Sequence, residues 1–355
     1  MFLKNLGGWV VLMVFISANP AFSQVQKHIS EVEEIRFSFD RFDLVGNLYL
    51  PAGTDKNEGD DKHALMIWVH GDGPDFRTGR FPDTSFFNRF LEHGYAYFRY
   101  DKPGSGDSKG AFTDSLLFQE RAGIVSAAVE KLKHHPRIDA SNVGLAGSSQ
   151  AGYVMPLVLT MRNDLSFMVG LSLPAMSGNE QWTYLLKKQL ICEGYSLEFA
   201  EEFSSMHLKL IRSSSSDEFW EIAAYFEKNP VQIPSLNGYD EDFATRIRNW
   251  WPLDWVQHQE FDPMEIIAET KIPVLSLYGA NDTQVNPFQG AEAYHQRLQE
   301  ADNPFYEIKI LPDADHNMRF SETGCLKEQS TRTSSHVVPE LSGILDSWLG
   351  KLQKN

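Results

Sequence analysis

Cysteine is nearly absent: the 355 residues contain only Cys192 and Cys325. So few exclude a disulfide-built miniature scaffold, and no C-x-x-C spacing offers a zinc or dithiol site. The pair either ties a mid-chain helical segment to the C-terminal part or stands as two thiols; spacing alone does not choose. Positive charge is also short, with 32 Lys and Arg against 48 Asp and Glu and a formal net charge of -16. A surface of that sign repels nucleic acid and anionic membranes, which excludes both as the main partner. No internal repeat is present, and low complexity is confined to the run Ser213 to Ser216. With 42% hydrophobic and 12% aromatic residues, the chain has the material for a real core.

Long apolar runs are missing too. The stretch Trp9 to Ile16 is unbroken but too short to span a bilayer comfortably. Lys4 precedes it, Asn19-Pro20 follows it, and Ala21-Phe22-Ser23 places small residues where a signal peptidase reads. Residues 1–23 are therefore expected to be a signal peptide, with an uncleaved anchor as the alternative. The mature chain is then exported, periplasmic or extracellular, with no stable membrane insertion.

What remains alternates. Glu34 to Phe39 and Leu44 to Leu50 read as half-exposed strands, and Ala64 to Val69 as a buried one. Tyr95 to Tyr100, Val143 to Ala146, Phe167 to Leu173, Pro273 to Leu277 and Phe305 to Leu311 continue the series. Helical spacing marks Leu116 to Leu132, a segment beginning near Gln150, and Val337 to Leu352. Strands alternating with helices imply an α/β fold with a mainly parallel sheet covered on both faces. Residues 177–270 break the rhythm with helical, aromatic-rich sequence, including Trp182, Tyr184, Phe203, Phe219, Trp250, Trp251 and Trp255. This is expected to be a helical cap over the C-terminal edge of the sheet, splitting a core of residues 24–176 and 271–355.

Chemistry concentrates at that edge. In Gly147-Ser148-Ser149-Gln150-Ala151-Gly152 a buried strand runs into a sharp turn and then a helix. A nucleophile on such a turn needs small neighbours two positions to either side, because strand and helix cross closely there. Gly147 and Ala151 flank Ser149 in that way, whereas the rival Ser148 is flanked by the larger Gln150. The N–H of Gln150 would face a developing oxyanion, and the Gly-rich turn His70-Gly71-Asp72-Gly73-Pro74 can present a second N–H, that of Asp72. An activated serine needs a base and a group that orients it. His316 follows the last strand and Asp282 the penultimate one, which gives the order Ser, acid, His. Asp313 and Asp315 compete with Asp282 by proximity, and Asp262 more distantly. His134 and His135 end a helix and read as a solvated cap; His207 and His258 lie in the insertion. The turn Arg99 to Ser108 reads as structural, with Asp101 and Ser108 bonding loop backbone, and no Gly-Lys-Ser/Thr makes it a phosphate loop.

Together these motifs, with Tyr100 to Gly106, Gly279 to Asp282 with Val285, and Asp315-His316, resemble the α/β-hydrolase superfamily. They look closest to bacterial carboxylesterases related to dienelactone hydrolases and to the catalytic domain of prolyl-oligopeptidase-type peptidases. The resemblance implies an eight-stranded, mainly parallel sheet flanked by helices, with a helical cap, and no cofactor or metal. It implies a serine hydrolase cleaving small acyl esters through an acyl-enzyme, with Ser149, His316 and Asp282 as triad and Asp72 and Gln150 as oxyanion donors. Ala151 stands where the family usually has Gly, and Asp72 brings a carboxylate beside an anion site. A peptidase for short peptides is the alternative reading; a non-catalytic binding protein on the same scaffold is a more distant one.

Overall fold

A computed structural model describes residues 28–52, 62–79, 84–110, 118–234, 236, 260–332 and 336–354. The expected signal peptide, Trp250, Trp251, Trp255 and His258 lie outside the described residues. The apolar runs form β1 (Ile29–Phe39), β2 (Phe42–Pro51), β3 (His63–Val69), β4 (Ala96–Tyr100), β5 (Ile138–Ser148), β6 (Met168–Leu171), β7 (Val274–Gly279) and β8 (Tyr306–Leu311). They make one sheet in the order β1-β2-β4-β3-β5-β6-β7-β8. The β1–β2 and β2–β4 pairs are antiparallel; every pair from β4 to β8 is parallel. Burial follows position. All residues of β4, β6 and β7 are buried, as strands covered on both faces must be, while β1 and β8 at the edges are mixed.

Helices α1 (Thr84–Glu92), α2 (Phe118–Lys133), α3 (Ala151–Met161), α4 (Gly178–Cys192), α5 (Leu197–Ile211), α6 (Ser216–Lys228), α7 (Met264–Ile267), α8 (Pro287–Glu300), α9 (Leu326–Thr331) and α10 (Glu340–Leu352) complete the described elements. One face of the sheet packs on α2, α3 and α8, through Ile124, Val125, Val154 and Tyr294 among others. The other packs on α1 and α10, through Phe86, Phe90, Leu345 and Trp348. Two boundaries differ from the sequence reading. β5 starts at Ile138, ahead of the apolar Val143, because Asp139, Ala140, Ser141 and Asn142 already carry extended backbone. α10 starts at Glu340 behind Pro339, since Val337 is held in a bridge to Arg319.

Between β6 and β7 the chain builds α4, α5 and α6, which have their own apolar centre of Leu186, Leu190, Phe203, Leu210, Phe219 and Phe226. Those aromatics are core of the inserted segment and are not available to line a pocket. The serine run supplies the break before α6, where Ser215 caps the helix by accepting from Glu218 N. The segment is fastened to the loop after β7: Tyr184 Oη donates to Asp282 O (2.9 Å) and Gln181 Nε2 to Gln284 O (2.6 Å).

A disulfide between Cys192 and Cys325 settles the cysteine question and joins the end of α4 to the start of α9. Its loop spans 133 residues. Opening a loop of that size with Cys192→Ser and Cys325→Ser is expected to lower the unfolding free energy by roughly 2–5 kcal/mol. Urea midpoints measure it, and reduction of the wild type should give the same shift. Unchanged midpoints would show the bond to be ornamental.

Candidate active site

β5 carries the chain to Ser148, and the next residue turns sharply. Ser149 has φ 54°, in the left-handed region, and its N–H donates to Leu171 O (3.0 Å). α3 starts two residues later with Gln150 as its N-cap. The crossing is tight: a Cβ placed on Gly147 would lie 2.6 Å from Ala151 Cβ and 2.7 Å from Val69 O. Small residues at 147 and 151 are thus a packing requirement, and alanine meets it at 151. Ser149 is partly exposed whereas Ser148 is 3% exposed, so only the first presents its hydroxyl from the turn.

The turn after β3 lies against this elbow, since a Cβ on Gly71 would be 3.2 Å from Ser148 O and 3.3 Å from Ser149 Cβ. Among the described residues, neither Asp72 N–H nor Gln150 N–H donates to another protein group. Both are free to bind an anion, the second at a helix N-terminus. The Asp72 side chain is exposed, on the solvent side of the turn. Two cations hold the turn by its carbonyls. Lys102 Nζ donates to Gly71 O (2.6 Å) and Gly73 O (2.5 Å); Arg121 Nη2 donates to His70 O (2.5 Å) and Gly71 O (2.9 Å). His70 is buried with Nδ1 2.7 Å from Asp75 Oδ2 and Nε2 2.6 Å from Tyr100 O. Burial pushes the pKa of this imidazole down, and the hydrogen bond and charge of Asp75 work against that.

Across the sheet edge, His316 Nδ1–H donates to Asp282 Oδ2 (2.8 Å), with the Asp282 side chain fully buried. The other oxygen of Asp282 accepts from Gln284 N (2.7 Å) and Val285 N (2.9 Å), which fixes the carboxylate. Burial lowers the His316 pKa, but the charge and hydrogen bond of Asp282, with the more distant Asp315, outweigh it and leave the imidazole above its ordinary 6.5. Ser172 Oγ, on the loop after β6, donates to His316 O (3.1 Å) and sets the backbone of the histidine loop.

The rival carboxylates are occupied elsewhere. Asp315 accepts from Asn317 N (2.8 Å) and Arg319 N (3.0 Å) and pairs with Arg332 (2.8 Å), folding its own loop. Asp262 accepts from Met264 N (3.0 Å), and Asp313 is exposed. His134 is exposed beside Glu130, but His135 is mostly buried against Glu33 (3.0 Å), so only the first is a solvated helix end. Asp101 accepts from Arg77 N (2.6 Å) and Asp107 N (2.9 Å), and Ser108 Oγ donates to Asp101 O (2.7 Å), as a structural turn requires. That turn nonetheless reaches the site through Lys102. Lys102 and Arg121 are the participants the sequence reading passed over.

A buried aspartate–histidine pair, a serine at positive φ on the turn after β5 and two N–H groups at the same edge of the sheet are the parts that acyl transfer uses. Comparison with known proteins agrees in fold. An Est1E structure from Butyrivibrio proteoclasticus with ferulic acid bound has 17% identity and a TM-score of 0.56, covering 90% of this chain and all of that one. A Pyrococcus furiosus esterase, Pf2001, has 17% identity and a TM-score of 0.55, covering 99% of this chain and 96% of that one. An uncharacterized Escherichia coli protein of 31.7 kDa, in the traX-finO intergenic region, is 24% identical over 267 residues, 71% of this chain and 86% of its own. The model of the X-Pro dipeptidyl-peptidase (S15) family matches residues 18–316, most of the chain. With that match, over this sheet, the chain belongs to the X-Pro dipeptidyl-peptidase (S15) family, among the serine hydrolases of α/β-hydrolase fold.

Proposed function

We propose that the protein is an exported carboxylesterase that uses Ser149, His316 and Asp282 as its triad. The observation that carries the reading is the buried Asp282–His316 contact at 2.8 Å, at the same sheet edge as the Ser149 turn. With Nδ1 held by Asp282, Nε2 is left to take the Ser149 proton as Oγ attacks the ester carbonyl. The tetrahedral oxyanion is received by Asp72 N–H and Gln150 N–H. Nε2 then protonates the leaving alcohol, and water attacks the acyl-enzyme by the same route in reverse. The inserted helices act as a cap, anchored at the loop that carries Asp282.

Family membership favours a second reading, release of dipeptides from peptide N-termini. Such a substrate needs a fixed anion for its ammonium group. Near the base of α4, Glu180 and Glu260 are both engaged by Arg212, at 3.3 and 2.8 Å, and so are committed to a cation of the chain itself; this supports ester over peptide. The disulfide supports export, because such bonds persist in oxidising compartments.

A fluorophosphonate should add to Ser149, read by peptide mass spectrometry. A panel of p-nitrophenyl acyl esters and X-Pro p-nitroanilides then separates the readings: turnover of esters alone is expected. Faster turnover of the anilides would replace esterase by peptidase, and an adduct on another residue would remove Ser149.

A further inference from the structure

Arg121 sits on α2 and faces the core: it is 8% exposed, between buried Phe118, Ala122 and Val125. A charged residue on such a face is costly, so what it binds matters. Its Nη2 donates to His70 O (2.5 Å) and Gly71 O (2.9 Å), and its Nη1 to Gln150 Oε1 (2.7 Å). All three acceptors belong to the two residues or turns that carry the oxyanion donors.

The peptide group makes the link. In a planar trans peptide the C=O of Gly71 and the N–H of Asp72 are one rigid unit and point in opposite directions. Fixing Gly71 O on Arg121 and on Lys102 (2.6 Å) therefore aims Asp72 N–H away from both cations. A cation on the carbonyl also polarises the peptide and strengthens its N–H as a donor. The second arm of the same planar fork holds the side chain of Gln150, the residue that supplies the other N–H. An ammonium lacks that fixed fork and cannot hold the two arms in one geometry.

We propose that Arg121 is a positioning residue for ester hydrolysis, bridging the two halves of the oxyanion hole and setting their relative geometry. The inference rests on the reading of Ser149 as nucleophile with Asp72 and Gln150 as donors. Burial pulls the guanidinium pKa down, and Tyr100 and Asp72 work against that pull.

The test uses Arg121→Lys, Arg121→Met and Gln150→Leu in the full chain, with active sites counted by fluorophosphonate titration so that misfolded protein is subtracted. Kinetics on p-nitrophenyl acetate are compared with inhibition by a trifluoromethyl ketone, which forms a tetrahedral oxyanion on serine. For Arg121→Lys, kcat per titrated site should fall by about 10- to 100-fold with KM nearly unchanged, and ketone affinity should fall by the same factor. Gln150→Leu leaves the arginine site filled and should show a smaller parallel loss, which keeps the question answerable if Arg121→Met fails to fold. A merely structural arginine would lower stability but leave kcat per site and ketone affinity together at wild-type values. That result in Arg121→Lys and Gln150→Leu, or a fall in kcat without one in ketone affinity, overturns the proposal. A wild type that fluorophosphonate does not titrate overturns the serine reading itself and this inference with it; a titrated wild type with unaffected variants overturns the inference alone.

Discussion

Ser149→Ala is expected to reduce kcat on a p-nitrophenyl ester by about a million-fold, the cost of losing a serine nucleophile. A residual rate above water should persist, because the two N–H donors and the bound geometry survive the change. The same position makes a second, independent demand. At φ 54° Ser149 occupies a conformation that costs a side-chain-bearing residue roughly 1–2 kcal/mol. Alanine keeps that strain and glycine relieves it, while glycine loses about 0.5–1 kcal/mol through its freer unfolded chain. Ser149→Gly should therefore be as inactive as Ser149→Ala yet more stable than it by about 0.5–1 kcal/mol, read from urea midpoints. A glycine variant less stable than the alanine one by about 0.5–1 kcal/mol would mean that the turn stores no strain at residue 149. Ester turnover retained in the alanine variant would remove Ser149 from the chemistry.

The fold was legible where burial is simplest. Strands such as Ala96–Tyr100 and Val274–Gly279 are covered on both faces, so they appear in sequence as apolar runs broken only at Arg99 and Ser276 instead of as an alternation. The edge strand Tyr306–Leu311 keeps the alternation of a half-exposed one. Ser149, Asp282 and His316 could be placed because each closes a recognisable strand, and strand ends fall on one edge of a parallel sheet. Asp282 is preferred over Asp315 in sequence because it lies on a different loop from His316; what the sequence does not show is that Asp315 spends its oxygens on Asn317 N, Arg319 N and Arg332. The cysteine pairing was equally invisible, since it depends on α4 and α9 meeting in space. Arg121 left a trace that was not used. It lies three and four residues before Ile124 and Val125, on the apolar face of its own helix, where a solvated arginine has no place. Lys102 left none, because a turn residue gives no phase from which to read its direction.

Asp282→Asn should lower kcat by about ten-thousand-fold while the fold survives, and it should also move the pH profile. The loop has reason to hold: the oxygen that accepts from Gln284 N and Val285 N can be kept by an asparagine amide. The other arm changes from acceptor to donor. Facing an N–H₂ group, the imidazole must present a lone pair at Nδ1 and carry its proton on Nε2, the atom that should receive the serine proton. The charge effect has a definite sign. In the wild type the neutral imidazole is the active form, so kcat/KM falls as pH drops through the His316 pKa, with a midpoint above 6.5. Burial alone would lower that pKa; the Asp282 charge and hydrogen bond reverse it. Removing the charge leaves burial as the largest influence, so the acid limb should move to lower pH even as the plateau collapses. Loss of rate at alkaline pH then separates tautomer from titration, because raising the pH restores a neutral ring but not a correctly protonated one. An acid limb that stays in place, or a plateau within about tenfold of wild type, would show that Asp282 does not orient the base.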